Sequence, residues 1–295
     1  RCCHRAAPLD LGRIEGDCLR CMYHGMKFDP SGKCIEIPGQ ERVPPKLGVR
    51  SYPVVERDGI VWIWMGDPAL ADPTQVFDLP QYHDPAWSAV EGDALEIGTH
   101  YLNLADNLCD PSHVSFVHLS TLGNAASEDV PVHSEVQEGK VLTWRWIIDA
   151  PPIPLFAKYG HFKGNVDRWH YYHYHAPSIA IIDFGTADTG TGAPEGRRDN
   201  CMQIYACHFI TPVDEHHCID HWLHVKNFQA SPEVNAALSA DFRTAFAEDK
   251  AILEAIHANE QRMPERRTIK IAIDISPRRM RRLVDDMVGS EAGAA

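Results

Sequence analysis

The sequence predicts a two-domain α+β protein: a small all-β domain over residues 1–72, then a larger domain over residues 73–295 in which an antiparallel sheet meets a long helix. Three observations carry this reading. Residues 1–66 break into short apolar runs separated by turn residues. Residues 67–87, DPALADPTQVFDLPQYHDPAW, are rich in Pro and Asp without a sustained period, the mark of a linker. Beyond them come alternating runs and then one unbroken helical pattern.

In order, GKCIEIPG follows the turn DPSG as a strand, and SYPVVERDGIVWIWMG reads as two alternating runs joined by ERDG, a hairpin. VEGDALEIGTHYLNLADNLCDPSHVSFVH is strand-like and then helical. HSEVQEG, KVLTWRWIID, DRWHYYHYHA, SIAIIDFG, CMQIYACHFITPV and CIDHWLHVKNF are strands, and the chain is expected to finish on the helix SPEVNAALSADFRTAFAEDKAILEAIHANEQR. GTADTGTGAPEG lacks the Lys-Ser/Thr of a phosphate cradle and opens no helix, so it reads as a plain loop.

With 295 residues, 44% hydrophobic and 23% charged, the chain can bury two cores. A net charge of −13 argues against nucleic acid or an anionic membrane as partner, since both are bound by neutralising their negative charge. Residues 1–50 carry nine basic and six acidic residues, leaving the excess negative charge to the rest. That basic face either attracts an acidic protein partner or is scattered solvated charge. No apolar run approaches the ~20 residues that span a bilayer, and no targeting segment is present, so a cytoplasmic location is expected. The chain opens inside a motif, and further residues are expected ahead of Arg1.

That motif is RCCHRAAPLDLGRIEGDCLRCMYHG. Cys2 and His4 form C-x-H; after sixteen residues Cys21 and His24 form C-x-x-H. Two loops that each offer a thiolate and an imidazole can clamp a metal centre from opposite sides. A structural zinc accepts the same four groups, and packing cysteines are the plainer alternative. Zinc fingers usually pair like with like in one loop, whereas one Cys and one His per loop suits two thiolates on one iron and two imidazoles on another. Nine cysteines, an odd number with at least four at metal-ligand spacings, suit a reducing compartment better than a disulfide frame.

In the second domain, ADNLCDPSHVSFVH holds Asp110, His113 and His118. Asp110 and His113 share a helical face, and their pairing is expected to supply the carboxylate to which a metal-bound imidazole donates. His113 and His118 are five apart and reach one ion only where the helix widens or ends. In the last helix Phe242, Phe246, Ile252, Leu253 and Ile256 form an apolar stripe with Asp249 near its centre, while Glu248 points off that face. A carboxylate there is costly unless a cation or hydrogen bonds satisfy it. A 2-His-1-carboxylate Fe(II) site would do so, and so would an Arg partner. Strand alternation lets Asp183, His208 and His221 face a substrate cavity, with ordinary sheet roles as the alternative. The histidines of RWHYYHYHA are expected to be exposed strand residues.

CCHR and CMYHG, within GRIEGDCLRCMYHGMKFDPSGKC, resemble the Rieske [2Fe–2S] motif of Rieske non-haem iron oxygenases, and FAEDKAILEAI resembles the iron-binding segment of their phthalate dioxygenase and vanillate O-demethylase branch. Met26 stands where these proteins commonly carry Trp, and Cys3 and Cys18 are surplus to the motif. The resemblance implies that Cys2 and Cys21 ligate one iron of the cluster and His4 and His24 the other, with His113, His118 and Asp249 on a mononuclear Fe(II). It implies a helix-grip catalytic domain and a homotrimer in which His24 meets Asp110 of a neighbouring subunit, making Asp110 an electron bridge. It also implies O2 as co-substrate, and NAD(P)H as electron source through a flavin/iron–sulfur reductase or a ferredoxin. PPIPLFAKYGHFKGNVDRW and IAIIDFGTADTGTGAPEG look most like vanillate O-demethylase-type enzymes, implying monooxygenation of a small aromatic acid or ether. Ring cis-dihydroxylation is the alternative within the family. A Rieske electron carrier and a zinc scaffold are the non-enzyme alternatives, and neither needs the Asp110, His113, His118 and Asp249 set.

Overall fold

The computed structural model describes residues 1–265 and 268–294, and the chain divides between Asp78 and Leu79 into two compact units. In the first unit β1 (Arg13–Glu15), β2 (Cys18–Arg20), β3 (Lys27–Phe28) and β4 (Cys34–Glu36) form an antiparallel sheet in chain order. Its small core is Cys2, Cys21, Met26, Phe28 and Cys34, so Met26 packs beneath the Cys21–His24 loop. β5 (Val54–Arg57) and β6 (Ile60–Ile63) pair as the expected hairpin. Asp58 and Gly59 both adopt positive φ, the geometry a two-residue turn needs to match strand twist. Within residues 67–87, Asp67 and Asp72 cap 3-10 turns that start at Pro68 and Pro73, and α1 (Pro80–His83) follows.

The second unit is a seven-stranded antiparallel sheet. β7 (Ser88–Ile97) lies at one edge and β8 (His133–Gln137) at the other; between them the order is β13 (Cys218–Lys226), β12 (Met202–Pro212), β11 (Ile179–Asp188), β10 (Val166–His175) and β9 (Lys140–Ala150). α2 (Tyr101–Cys109), α3 (Val114–Val117) and α5 (Pro232–Arg262) complete the elements expected from the sequence, and α4 (Pro154–Tyr159) is a short helix the sequence reading did not anticipate. Ser231 caps α5 by accepting from the Val234 amide, with Pro232 at the first helical position.

Two expectations for the C-terminal region need correction. Ile252 and Ile256 are 44% and 42% exposed, and the stripe that α5 buries is Leu238, Phe242, Ala245, Phe246, Asp249, Leu253 and His257. Asp249 keeps its central place. Burying Phe242 and Phe246 contributes about 1.5–3 kcal/mol each. The chain also continues past α5 into α6 (Ile275–Ala294). Ser276, Met280 and Val284 of α6 turn inward at four-residue spacing, a stripe too narrow to stand out among its arginines and acids. α2 is thereby held between α5 and α6: Leu104 and Leu108 share a core with Leu253, Met280 and Val284, and Arg281 pairs with Asp106 at 2.6 Å.

Candidate functional site

In the first unit the Cys2 and Cys21 thiols are buried within hydrogen-bond reach of each other, while His4 and His24 are exposed with ring centroids 4.7 Å apart. Each loop closes on itself. The Cys2 amide donates to the Ala7 carbonyl and the Cys21 amide to that of Met26, both at 2.8 Å. Gly25 turns the second loop at positive φ, and Arg20 Nη1 donates to its carbonyl at 2.7 Å. The other donors of Arg20 hold Glu15 and Glu36, and the hydrogen bonds from Arg20 and then Arg13 keep the Glu15 carboxyl well below its usual range. Two thiols on the inside and two imidazoles on the outside are the donor set for a cluster with unlike irons.

In the second unit Pro111 forces Asp110 into extended backbone, which ends α2. A 3-10 turn (Pro111–His113) and the short α3 follow, and His118 closes α3 as its C-cap. The two histidines therefore flank α3, which ends at His118 rather than widening. The carbonyl of His118 accepts from the Thr121, Leu122 and Gly123 amides. A Cβ at Gly123 would lie 2.1 Å from the Val114 carbonyl oxygen, so only glycine allows this loop so close.

His113, His118 and Asp249 come together, with one donor atom of each within 4.8 Å of the others; among the described residues no other group of three meets that test. His118 Nε2 lies 3.2 Å and His113 Nε2 3.6 Å from Asp249 Oδ1, which also accepts from Asn107 Nδ2 at 2.8 Å. Burial raises the Asp249 pKa, but His118, His113 and Asn107 outweigh it and the net shift is downward. Burial lowers the His113 pKa, against the pull of Asp249. Burial also opposes charge on His118, yet Asp249 and Glu248 together raise it. Two imidazole nitrogens and a buried carboxylate oxygen, converging at these distances, fit a divalent cation of the 2-His-1-carboxylate kind.

The carboxylate that supports an imidazole is not Asp110. His118 Nδ1 meets Glu248 Oε2 at 2.8 Å, and Ser120 donates to the other Glu248 oxygen. The Asp110 carboxylate accepts from the Ser112 amide at 2.8 Å, and His113 Nδ1 is buried with no well-formed hydrogen bond. Glu248 lies off the apolar stripe, as expected, but the loop after His118 wraps round to reach it. Its signal in the sequence is adjacency to Asp249.

Beside the triad lies a cavity walled by Leu122, Ile182, Phe184, Phe242 and Phe246, with Tyr172, His170 and His208 as polar groups. Of the residues expected to face it, His208 does, and its Nδ1 bonds Asp220 at 2.8 Å. Asp183 and His221 do not line it. The two-residue pleat puts Ile182 and Phe184 on the cavity side and turns Asp183 to the far face, where it accepts from Trp169 Nε1 and Gln203 Nε2. His221 alternates with Asp220 and Trp222 in the same way. His170, expected to be exposed, is buried against the cavity, and its Nδ1 accepts from Arg145 Nε at 3.2 Å.

Residues 1–53 match the Rieske [2Fe–2S] domain family, and residues 97–290 match the vanillate O-demethylase oxygenase C-terminal domain family. The chain belongs to the Rieske non-haem iron oxygenases. It is an oxygenase alpha subunit of the vanillate O-demethylase type. It is 39% identical to the toluene-4-sulfonate monooxygenase system iron–sulfur subunit of Comamonas testosteroni, over 99% of this chain and 86% of that protein. It is 34% identical to a vanillate O-demethylase oxygenase subunit of a Pseudomonas species, over 99% and 90%. Dicamba monooxygenase bound to dicamba superposes with a TM-score of 0.88 at 31% identity, over 99% of this chain and 86% of that one. As a Rieske oxygenase the chain works with a [2Fe–2S] cluster, a non-haem iron and O2, its electrons arriving from NAD(P)H through a reductase. No helix among the described residues is long and apolar enough to cross a membrane.

Proposed function

We propose that this Rieske oxygenase monooxygenates a small substituted aromatic acid or ether, by O-demethylation or methyl hydroxylation, with Cys2, His4, Cys21 and His24 holding the cluster and His113, His118 and Asp249 the iron. The observation that carries the reading is the placement of an aromatic-lined cavity directly against the convergent donors of His113, His118 and Asp249. Held by these residues, iron would supply O2 activation there. The residues of the chain do the rest. Phe184, Phe242 and Phe246 bind a ring face and exclude water, while His208, oriented by Asp220, offers a hydrogen-bond donor that fixes how the ring lies. Glu248 holds His118 in the tautomer that leaves Nε2 free to ligate.

Asp110 serves as the bridge that carries electrons from the cluster of a neighbouring subunit toward His113. Its support is position: it is partly exposed at the break before His113, in a stretch where Phe116 and Leu119 are exposed apolar residues suited to a subunit contact. The assembly is then a homotrimer working in the cytoplasm. The test is single turnover of the holoenzyme with 4-methoxybenzoate and a reductase. Formaldehyde released in step with O2 consumed supports demethylation, whereas a ring diol without formaldehyde would assign dihydroxylation instead.

A further inference from the structure

Two arginines on the cavity side of the sheet are buried without an ion pair: the charge of Asp110 acts on Arg145 from nearby, whereas no carboxylate acts on Arg168. Arg145 on β9 and Arg168 on β10 are each 1% exposed, and neither forms an ion pair among the described residues. Arg145 donates to the Pro111 carbonyl at 2.7 Å, the Ser127 carbonyl at 2.9 Å and His170 Nδ1. Arg168 makes one hydrogen bond, from Nη2 to Asn124 Oδ1 at 2.9 Å, and its Nε and Nη1 are buried with no acceptor. Burial, and then repulsion from Arg145, pushes its pKa down to about 10. An unpaired buried charge is among the costliest features a fold can carry, which makes it a marker of a missing counter-ion.

His170 connects this pair to the cavity. It lies opposite Arg145 in the strand register and two residues along the same face from Arg168, and it lines the cavity. Since its Nδ1 accepts from Arg145, its proton sits on Nε2, a donor free to meet a ligand. Thr186, opposite Arg168 on β11, is also buried with its hydroxyl unpartnered. His208 lies two strands over and four residues along, roughly 16 Å away between Cα atoms by strand spacing and rise. There Asp220 supplies a carboxylate, so the uncompensated positive charge belongs to the His170 end alone.

We propose that the His170 end of the cavity, backed by Arg145 and Arg168, receives the acid group of the substrate and so selects aromatic carboxylates or sulfonates over neutral aromatics of the same shape. This rests on the reading that the cavity takes a substituted aromatic. The anion's oxygen accepts from His170 Nε2–H and supplies the counter-charge that Arg168 lacks. At low dielectric this is worth far more than at a surface.

The test is equilibrium binding to the oxidised holoenzyme, without reductant, of 4-methoxybenzoate, toluene-4-sulfonate and neutral 4-methylanisole. Both anions are expected to bind the wild type about tenfold or more tightly than the neutral probe, and the tighter of the two identifies the natural acid group. In Arg168→Met that preference is expected to collapse while the neutral probe keeps its affinity, with no fall in Tm because a buried unpaired charge has gone. If Arg168 merely holds Asn124, all three probes weaken together and Tm falls, which overturns the proposal. So does an anion preference that survives Arg168→Met and disappears in His208→Phe. Equal binding of charged and neutral probes by the wild type overturns this proposal alone, whereas no binding of any of the three overturns the aromatic reading as well.

Discussion

At the turns of the N-terminal unit two thiols are buried and two imidazoles face solvent, on loops pinned by their own backbone hydrogen bonds. In the larger unit His118 and Asp249 are buried, and the three donors come from two segments more than a hundred residues apart, joined by packing α2 and α5 on one face of the sheet. One centre is local and open, the other assembled and covered. The difference matches their tasks: a relay must be approached by redox partners, whereas a site that activates O2 must be dry and shaped around substrate.

Independence of the two centres is the first consequence to break. Cys21→Ser should abolish the cluster and all reductase-driven turnover while leaving the mononuclear site able to bind iron, so that iron falls from about three to about one per chain. Retention of the cluster spectrum would refute the assignment. His113→Ala should do the converse, keeping the spectrum with about two irons per chain. Between them stands Asp110→Asn. Its amide oxygen can still accept from the Ser112 amide, so the turn survives. Both metals should stay and turnover should fall by orders of magnitude; full activity would remove the bridging role. The smallest effect is expected at Glu248→Gln, about 10- to 100-fold in iron affinity, read by competition with a chelator and with the cluster spectrum unchanged. An equal loss at both centres would show that they are not separately built.

The same contrast decides what could be read in advance. Cys2, His4, Cys21 and His24 stand out because the geometry of a local centre is written in its spacing, and the strands of the sheet stand out because their period is two. His113 and His118 were legible as two histidines five apart that meet only where a helix widens or ends, and Asp249 as an acid within an apolar stripe. Asp183, His221 and His170 were not, because alternation gives two faces without saying which is inward, and only packing against α5 decides it. Glu248 was missed for a related reason: its partner arrives on a loop, whose path no periodicity encodes. α6 escaped because three inward residues among many charges leave a faint stripe.

The most direct test of a two-centre oxygenase is low-temperature EPR of the dithionite-reduced protein, with iron and acid-labile sulfide measured on the same sample. A rhombic Rieske signal is expected, with about three irons to two sulfides per chain. An EPR-silent protein that contains zinc and no sulfide would contradict it, leaving the first twenty-five residues a structural clamp.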